Sequence, residues 1–175
     1  MNLTQLRSMH GDMLAIVGSL VMVVAAGCSS DTTASVATSV CKSGVQWTGG
    51  NEGNAEMNPG QDCVACHAKE GEGPTFAIAG TVFSSIKEAD NCYGASGAEV
   101  IITGSDGKEF VLAANAAGNF SLDKSASADL KIPYTAKVRV GTKENAMVTP
   151  QVAGSCNSCH TKNGANAAPG RVMTP

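Results

Sequence analysis

The middle of the chain alternates between apolar and polar residues with a period of two, which is typical of half-buried β-strands. Turn signals such as Asp106-Gly107 and residues 115–118 separate the alternating runs, and Asp-Gly between two such runs is a strong hairpin signal. Strands at such intervals predict a mainly β fold of the sandwich type. The predicted strands are residues 78–83, 98–103, 108–112, 119–122 and 134–140.

The start of the chain has the pattern of an export signal. Residues 13–26 are almost wholly apolar, but this run is shorter than the ~20 residues that a membrane span needs. Residues 24–27, all small or apolar, precede Cys28 and resemble the bacterial lipobox, which implies a signal peptide over residues 1–27 and a lipid on Cys28. The alternative is an ordinary cleavage site with an accidental cysteine. Ser29 and Ser30 follow, and in lipoproteins this favours the outer membrane over the inner one.

Residues 28–40 are rich in Ser, Thr and Ala and show no periodicity, so they are predicted to form a flexible tether. The remainder, residues 41–175, is long enough for one domain. Residues 42–62 contain several glycines together with Pro59 and are loop-like. A short helix is predicted over residues 63–69, because Gly71, Gly73 and Pro74 end it.

Two copies of one motif, Cys-x-x-Cys-His, lie on either side of the alternating region. They are Cys63-Val64-Ala65-Cys66-His67 and Cys156-Asn157-Ser158-Cys159-His160. This spacing is that of c-type haem attachment, in which two thiols form thioethers with the porphyrin and the histidine binds the iron. The sequence therefore predicts two covalently bound haem c groups, with His67 and His160 as iron ligands.

Two other interpretations of the motif are open. A single Cys-x-x-Cys pair can be a redox dithiol, but such motifs belong to a βαβ context that this sequence lacks. Two pairs together could hold zinc. However, the chain has three histidines, and each of the two that come after residue 10 directly follows the second cysteine of a pair. The zinc interpretation does not explain this coincidence.

The second axial ligand of each iron can be argued by exclusion. Both histidines of the mature chain are already used, and lysine is normally protonated. The candidates are then Met57, Met147 and Met173. Met173 is three residues from the end and is expected to be held less firmly. We therefore predict Met57 and Met147 as distal ligands, with the alternative that either one fills the apolar core.

The cysteine count predicts one disulfide. Seven cysteines, less Cys28 and the four of the motifs, leave Cys41 and Cys92. Outside the cytoplasm disulfides persist, so a bridge between these two is favoured. The alternative is a pair of buried free thiols.

Composition limits the partners and the core. The net charge is −3 and no basic patch occurs, which excludes a nucleic-acid partner. Aromatic residues make up 4% of the chain, so a domain of this size needs another source of apolar surface, and two porphyrins would supply it.

Parts of the alternating region also resemble a known family. The segments 80–82, 97–103, 106–108 and 115–120 are similar to the carboxypeptidase-regulatory-like (prealbumin-like) β-sandwich. The resemblance implies a prealbumin-like or immunoglobulin-like sandwich over residues 76–142. Residues 41–75 and 143–175 are then loop-rich segments that each bind one haem. The sandwich says little about activity, because it serves as a scaffold in many proteins.

The complete layout resembles small dihaem c-type cytochrome lipoproteins of the bacterial envelope. That resemblance implies electron transfer between redox-partner proteins of the envelope, from a membrane attachment through the lipid. Two other functions stay open. One is a small haem enzyme, a peroxidase or small-molecule reductase with an open iron site, and the other is a partner-binding sandwich module. The enzyme is less favoured because no spare histidine could act as a distal acid or base.

Overall fold

The computed structural model describes residues 40–50, 53–71 and 73–175. The predicted signal peptide, Cys28 and the tether up to residue 39 lie outside the described residues. None of the helices in the described part has the length and apolar character to cross a membrane. In chain order the elements are α1 (Cys63–Glu70), β1 (Phe76–Phe83), β2 (Glu99–Thr103), β3 (Glu109–Ala113), β4 (Asn119–Asp123), a 3-10 turn (Lys124–Ala126), β5 (Thr135–Val140), β6 (Lys143–Ala146), α2 (Cys156–Cys159) and β7 (Val172–Met173).

The fold is mainly β and contains two sheets. One sheet has four antiparallel strands in the order β3-β2-β5-β6. The other has three strands in the order β4-β1-β7, with β4 antiparallel and β7 parallel to β1. Alternate residues of both sheets point into one shared apolar cluster, as the period of two requires. This cluster includes Ile78, Val82, Val100, Ile102, Leu112, Phe120, Leu122 and Val138.

The five predicted strands correspond to β1 through β5, with ends that differ by one or two residues. The predicted helix corresponds to α1. Asp62 begins this helix by accepting a hydrogen bond from the Ala65 N–H at 3.0 Å, and Gly71 ends it at φ 68°. The strands β6 and β7 were not predicted.

Strand β1 is the element on which both Cys-x-x-Cys-His motifs converge. Its last six residues are buried, because β4 and β7 flank it and helices α1 and α2 both pack against it. The segment before α2 runs beside β1, where the Ala79 N–H donates to the Gly154 carbonyl at 3.0 Å. Only glycine fits at position 154, since a Cβ there would clash with the Ala77 carbonyl.

Candidate haem-binding site

The first motif lies on α1, and its spacing puts two of its side chains on one face. Cys63 and His67 are four residues apart, so they project from the same side of the helix. Both line a cleft of about 820 Å³ between α1, the preceding loop and β4. This volume is within the range of cofactor pockets. Met57 and Phe76 also line the cleft, so a thiol, an imidazole and a thioether share one partly apolar space.

The imidazole of His67 packs against the ring of Phe76. Its ring centroid lies 4.7 Å from that of Phe76. Its Nδ1 atom is buried and has no hydrogen-bond partner in the described part of the chain. An unsatisfied buried polar atom costs about 1–3 kcal/mol, so each one in a folded protein needs an explanation. The ring of His67 lines the cleft, and its Nδ1 is the one side-chain N or O atom of the described residues that is both buried and without a hydrogen-bond partner.

The second motif places its histidine differently. Helix α2 is a single turn, and the His160 that follows it lies 2.8 Å, measured from Nδ1, from the Gly170 carbonyl oxygen. A carbonyl can only accept, so Nδ1 must carry the proton of the neutral ring, and the lone pair is left on Nε2. This is the arrangement in which a histidine binds a metal, with its other nitrogen fixed by a second hydrogen bond.

Directional hydrogen bonds tie the two motifs to each other. The hydroxyl of Ser155, just before the second motif, donates to the carboxylate of Asp62, just before the first. Inside the second motif, the Asn157 side chain is 4% exposed and donates to the Gln61 carbonyl at 2.8 Å. Segments separated by 93 residues in sequence are thus joined at the residues that start both helices.

Burial keeps two of the motif thiols protonated. Desolvation raises the pKa of Cys63 to about 11, with a smaller contribution from the nearby Asp62 carboxylate. Desolvation, reinforced by the neighbouring Cys63, raises the pKa of Cys156 to about 12. Cys63, Cys156 and Cys159 are free thiols, whereas Cys66 is disulfide-bonded and its sulfur must be reduced before it can form a thioether.

The arrangement does not favour the zinc alternative. Within the described residues, the one group of three or more candidate ligand atoms within 4.8 Å of one another is Cys41, Glu88 and Cys92. The motif cysteines are therefore not gathered as a zinc tetrahedron requires. Nor is that group a metal site as it stands, because both of its sulfurs are in a disulfide.

The disulfide joins Cys41 to Cys92, the pairing that the sequence favoured, with an S–S distance of 2.02 Å. The buried carboxylate of Glu88 lies beside it and accepts hydrogen bonds from the Lys42 N–H at 2.7 Å and the Ser43 N–H at 2.9 Å. The disulfide and this carboxylate therefore fasten the start of the described domain to the connection between β1 and β2. Trp47 is buried in the same region, where its backbone N–H donates to the Asn91 carbonyl.

The three methionines have different environments. Met57 lines the cleft with Cys63 and His67. Met147 packs against the core cluster, as Cys156 also does, which agrees with the alternative role of filling the core. Met173 is in β7 beside Phe83, and the Thr174 N–H donates to the Phe83 carbonyl at 2.9 Å. The expectation that the chain end is loosely held was wrong, because β7 pairs with the buried strand β1.

Sequence reasoning missed Arg171, whose side chain is 1% exposed. Its guanidinium donates to the carbonyls of Glu88 at 3.0 Å and Gly60 at 3.2 Å, and it pairs with the carboxylate of Asp90. The planar fork of arginine suits this task, since it can serve several acceptors at once. Arg171 directly follows Gly170, which holds the ring of His160, so it connects the second motif to the loop before the first. No local pattern marks this residue as buried.

The comparisons with known proteins found no relative. No family model matches the chain, no curated protein matches it, and no solved structure matches it.

Proposed function

We propose that this protein is a dihaem c-type cytochrome that transfers electrons between redox partners in the bacterial cell envelope. The observation that carries the proposal is the convergence of both Cys-x-x-Cys-His motifs on β1. One of them opens onto a cleft with Met57, and the other presents an imidazole whose Nδ1 is fixed by the Gly170 carbonyl, which leaves the lone pair on Nε2. Two attachment sites in one small domain are the expected layout of an electron carrier.

The residues that would hold each haem follow from the two motifs. Cys63 and Cys66 would form the thioethers of the first haem, with His67 as the proximal ligand. Cys156, Cys159 and His160 would do the same for the second. A bound haem c supplies a one-electron iron couple whose potential depends on the axial ligands.

Met57 and Met147 are proposed as the distal ligands. The cleft supports Met57, because its thioether lines the same space as His67. Met147 is half-buried and packs against the core cluster, so ligation would require its flexible side chain to leave that cluster. With both irons saturated, no position is left for a substrate, which favours a carrier over an enzyme.

The prealbumin-like sandwich is proposed as the scaffold. In this proposal the two sheets that share one apolar cluster are the two layers of the sandwich, and the haem segments flank it. The carrier is further proposed to be anchored by lipid on Cys28 at the outer membrane, facing the periplasm or the cell surface. A Cys41–Cys92 disulfide supports an oxidising compartment.

Mass and optical spectra of the purified protein test the proposal. Two covalent haems should add about 1.2 kDa to the polypeptide, and both should be low-spin. The oxidised protein should show the weak near-infrared band of a sulfur–iron bond. A polypeptide without haem would refute the proposal, and a parent protein that binds carbon monoxide would favour the enzyme with an open iron.

Substitution of the methionines tests the ligands. Met57→Ala and Met147→Ala should each make one haem high-spin and able to bind carbon monoxide, because each removes one sulfur from one iron. Met173→Ala is the matched control and should leave the spectrum unchanged. If Met173→Ala alone alters the spectrum, the carrier function survives and the ligand assignment fails.

A further inference from the structure

A chain of buried and partly buried hydrogen bonds runs from the second motif to the backbone of Met57. Asn157 and Thr81 exchange two bonds, from the Thr81 N–H to Asn157 Oδ1 at 3.1 Å and from Asn157 Nδ2 to Thr81 Oγ1 at 3.2 Å. The Thr81 hydroxyl then bonds Asn119 Oδ1 at 2.7 Å, and Asn119 Nδ2 donates to the Met57 carbonyl at 2.9 Å. The side chain of Thr81 is 0% exposed.

The orientation of Asn119 in this chain is determined by its neighbours. Thr81 Oγ1 accepts from the Gly60 N–H at 2.9 Å as well as from Asn157, so both of its lone pairs are used. Its single proton must therefore go to Asn119, which has to present its oxygen. The amide nitrogen of Asn119 is then forced to point at the carbonyls of Met57 and Ala55.

We propose that Asn119 is the positioning residue that holds Met57 against the first haem, and that Thr81 links this position to the second motif through Asn157. The inference rests on the proposed function, in which Met57 is a distal ligand. Methionine has three rotatable bonds, so its sulfur stays on an iron only if its backbone is held. Asn119 supplies this hold from β4, which is a rigid element of the sheet.

The first test is Asn119→Asp in the haem-loaded protein. The shape is nearly the same, but the donor to the Met57 carbonyl becomes a carboxylate oxygen, which repels that carbonyl. The sulfur–iron band should fall to about half that of the parent, and one haem of two should bind carbon monoxide. Asn145→Asp makes the same chemical change at an exposed position of β6 and should leave the band as it is in the parent.

Thr81 provides a second pair of variants, which tests the positioning of Met57 if Asn119→Asp does not fold. Thr81→Val keeps the shape and removes the hydroxyl, so the amide of Asn119 is no longer oriented and the band should weaken. Thr81→Ser keeps the hydroxyl and should retain the band. In Thr81→Val, hydrogen exchange of residues 53–60 should also be faster, which is a readout that needs no haem.

The outcomes separate this inference from the function on which it rests. If Asn119→Asp and Thr81→Val lower the melting temperature but keep the parent's band and its lack of carbon monoxide binding, these residues are structural and the positioning role is refuted. If Met57→Ala opens a haem while both of those variants do not, the function stands and only the inference fails. A parent without haem overturns both.

Discussion

Replacement of Arg171 by methionine should cost more stability than any substitution of an exposed charge in this protein. The variant removes two charged hydrogen bonds to buried carbonyls, those of Gly60 and Glu88. A hydrogen bond to a charged group contributes about 1.5–3 kcal/mol, so the expected loss is about 3–6 kcal/mol. Asp90 is 58% exposed and adds at most about 1 kcal/mol as an ion-pair partner. Domains of this size are stable by about 5–15 kcal/mol, so the loss would be a large fraction of the total.

Urea denaturation at neutral pH measures this loss, with Arg139→Met as the matched control. Arg139 is 34% exposed and pairs with Glu99 at 2.8 Å on the outer face of the four-stranded sheet. Its replacement should cost no more than about 1 kcal/mol. An equal loss in the two variants would contradict the reasoning, as would an Asp90→Asn variant that is as unstable as Arg171→Met.

Three further predictions concern the cysteines. In the haem-free protein the raised pKa values of Cys63 and Cys156 mean that folding favours the protonated thiols. The contribution of these thiols to the free energy of unfolding should be constant below pH ~9 and should fall by about 2–3 kcal/mol for Cys63 alone as the pH approaches ~11. Urea titrations at several pH values measure this fall. The haem-loaded protein should lack this slope. Replacing both Cys41 and Cys92 by serine should cost about 4 kcal/mol in the chain-entropy account of a loop of this length, measured by thermal unfolding. Cys28→Ser should move the protein from the membrane fraction to the soluble fraction, and unchanged fractionation would exclude a lipid anchor there.

The strands that sequence reasoning found are those whose pattern is local. In β3 and β4, residues on one face are buried or half-buried and those on the other are exposed or half-buried, so the period of two is visible in the sequence itself. The strand β7 has two residues and exists because β1 offers an unpaired edge beside it. Nothing in Val172 and Met173 alone predicts that pairing. The cap of α1 by Asp62 could have been predicted, because aspartate directly before a helical run is a start signal.

The candidate site was predictable only in its chemistry. The spacing of cysteines and histidines predicts the residues that would attach haem, but it carries no information about which distant segments meet. The contact between these segments depends on Asn157, Thr81 and Arg171, which are polar residues with exposed fractions of 4%, 0% and 2%. Sequence priors place such residues at the surface, because the cost of burying them is offset only by hydrogen bonds that the fold supplies.

In the proposed carrier, the segments that hold the two motifs are joined by hydrogen bonds between polar groups. Apolar packing between the two motif segments would tolerate sliding, since it is non-directional. Hydrogen bonds such as Ser155 to Asp62 and Asn157 to Gln61 fix both distance and angle. Two redox groups that exchange electrons need a constant separation, because the exchange rate depends steeply on distance. A partly buried polar network therefore sets the relative position of the two Cys-x-x-Cys-His motifs, and the apolar cluster between the sheets supplies the stability that this network needs.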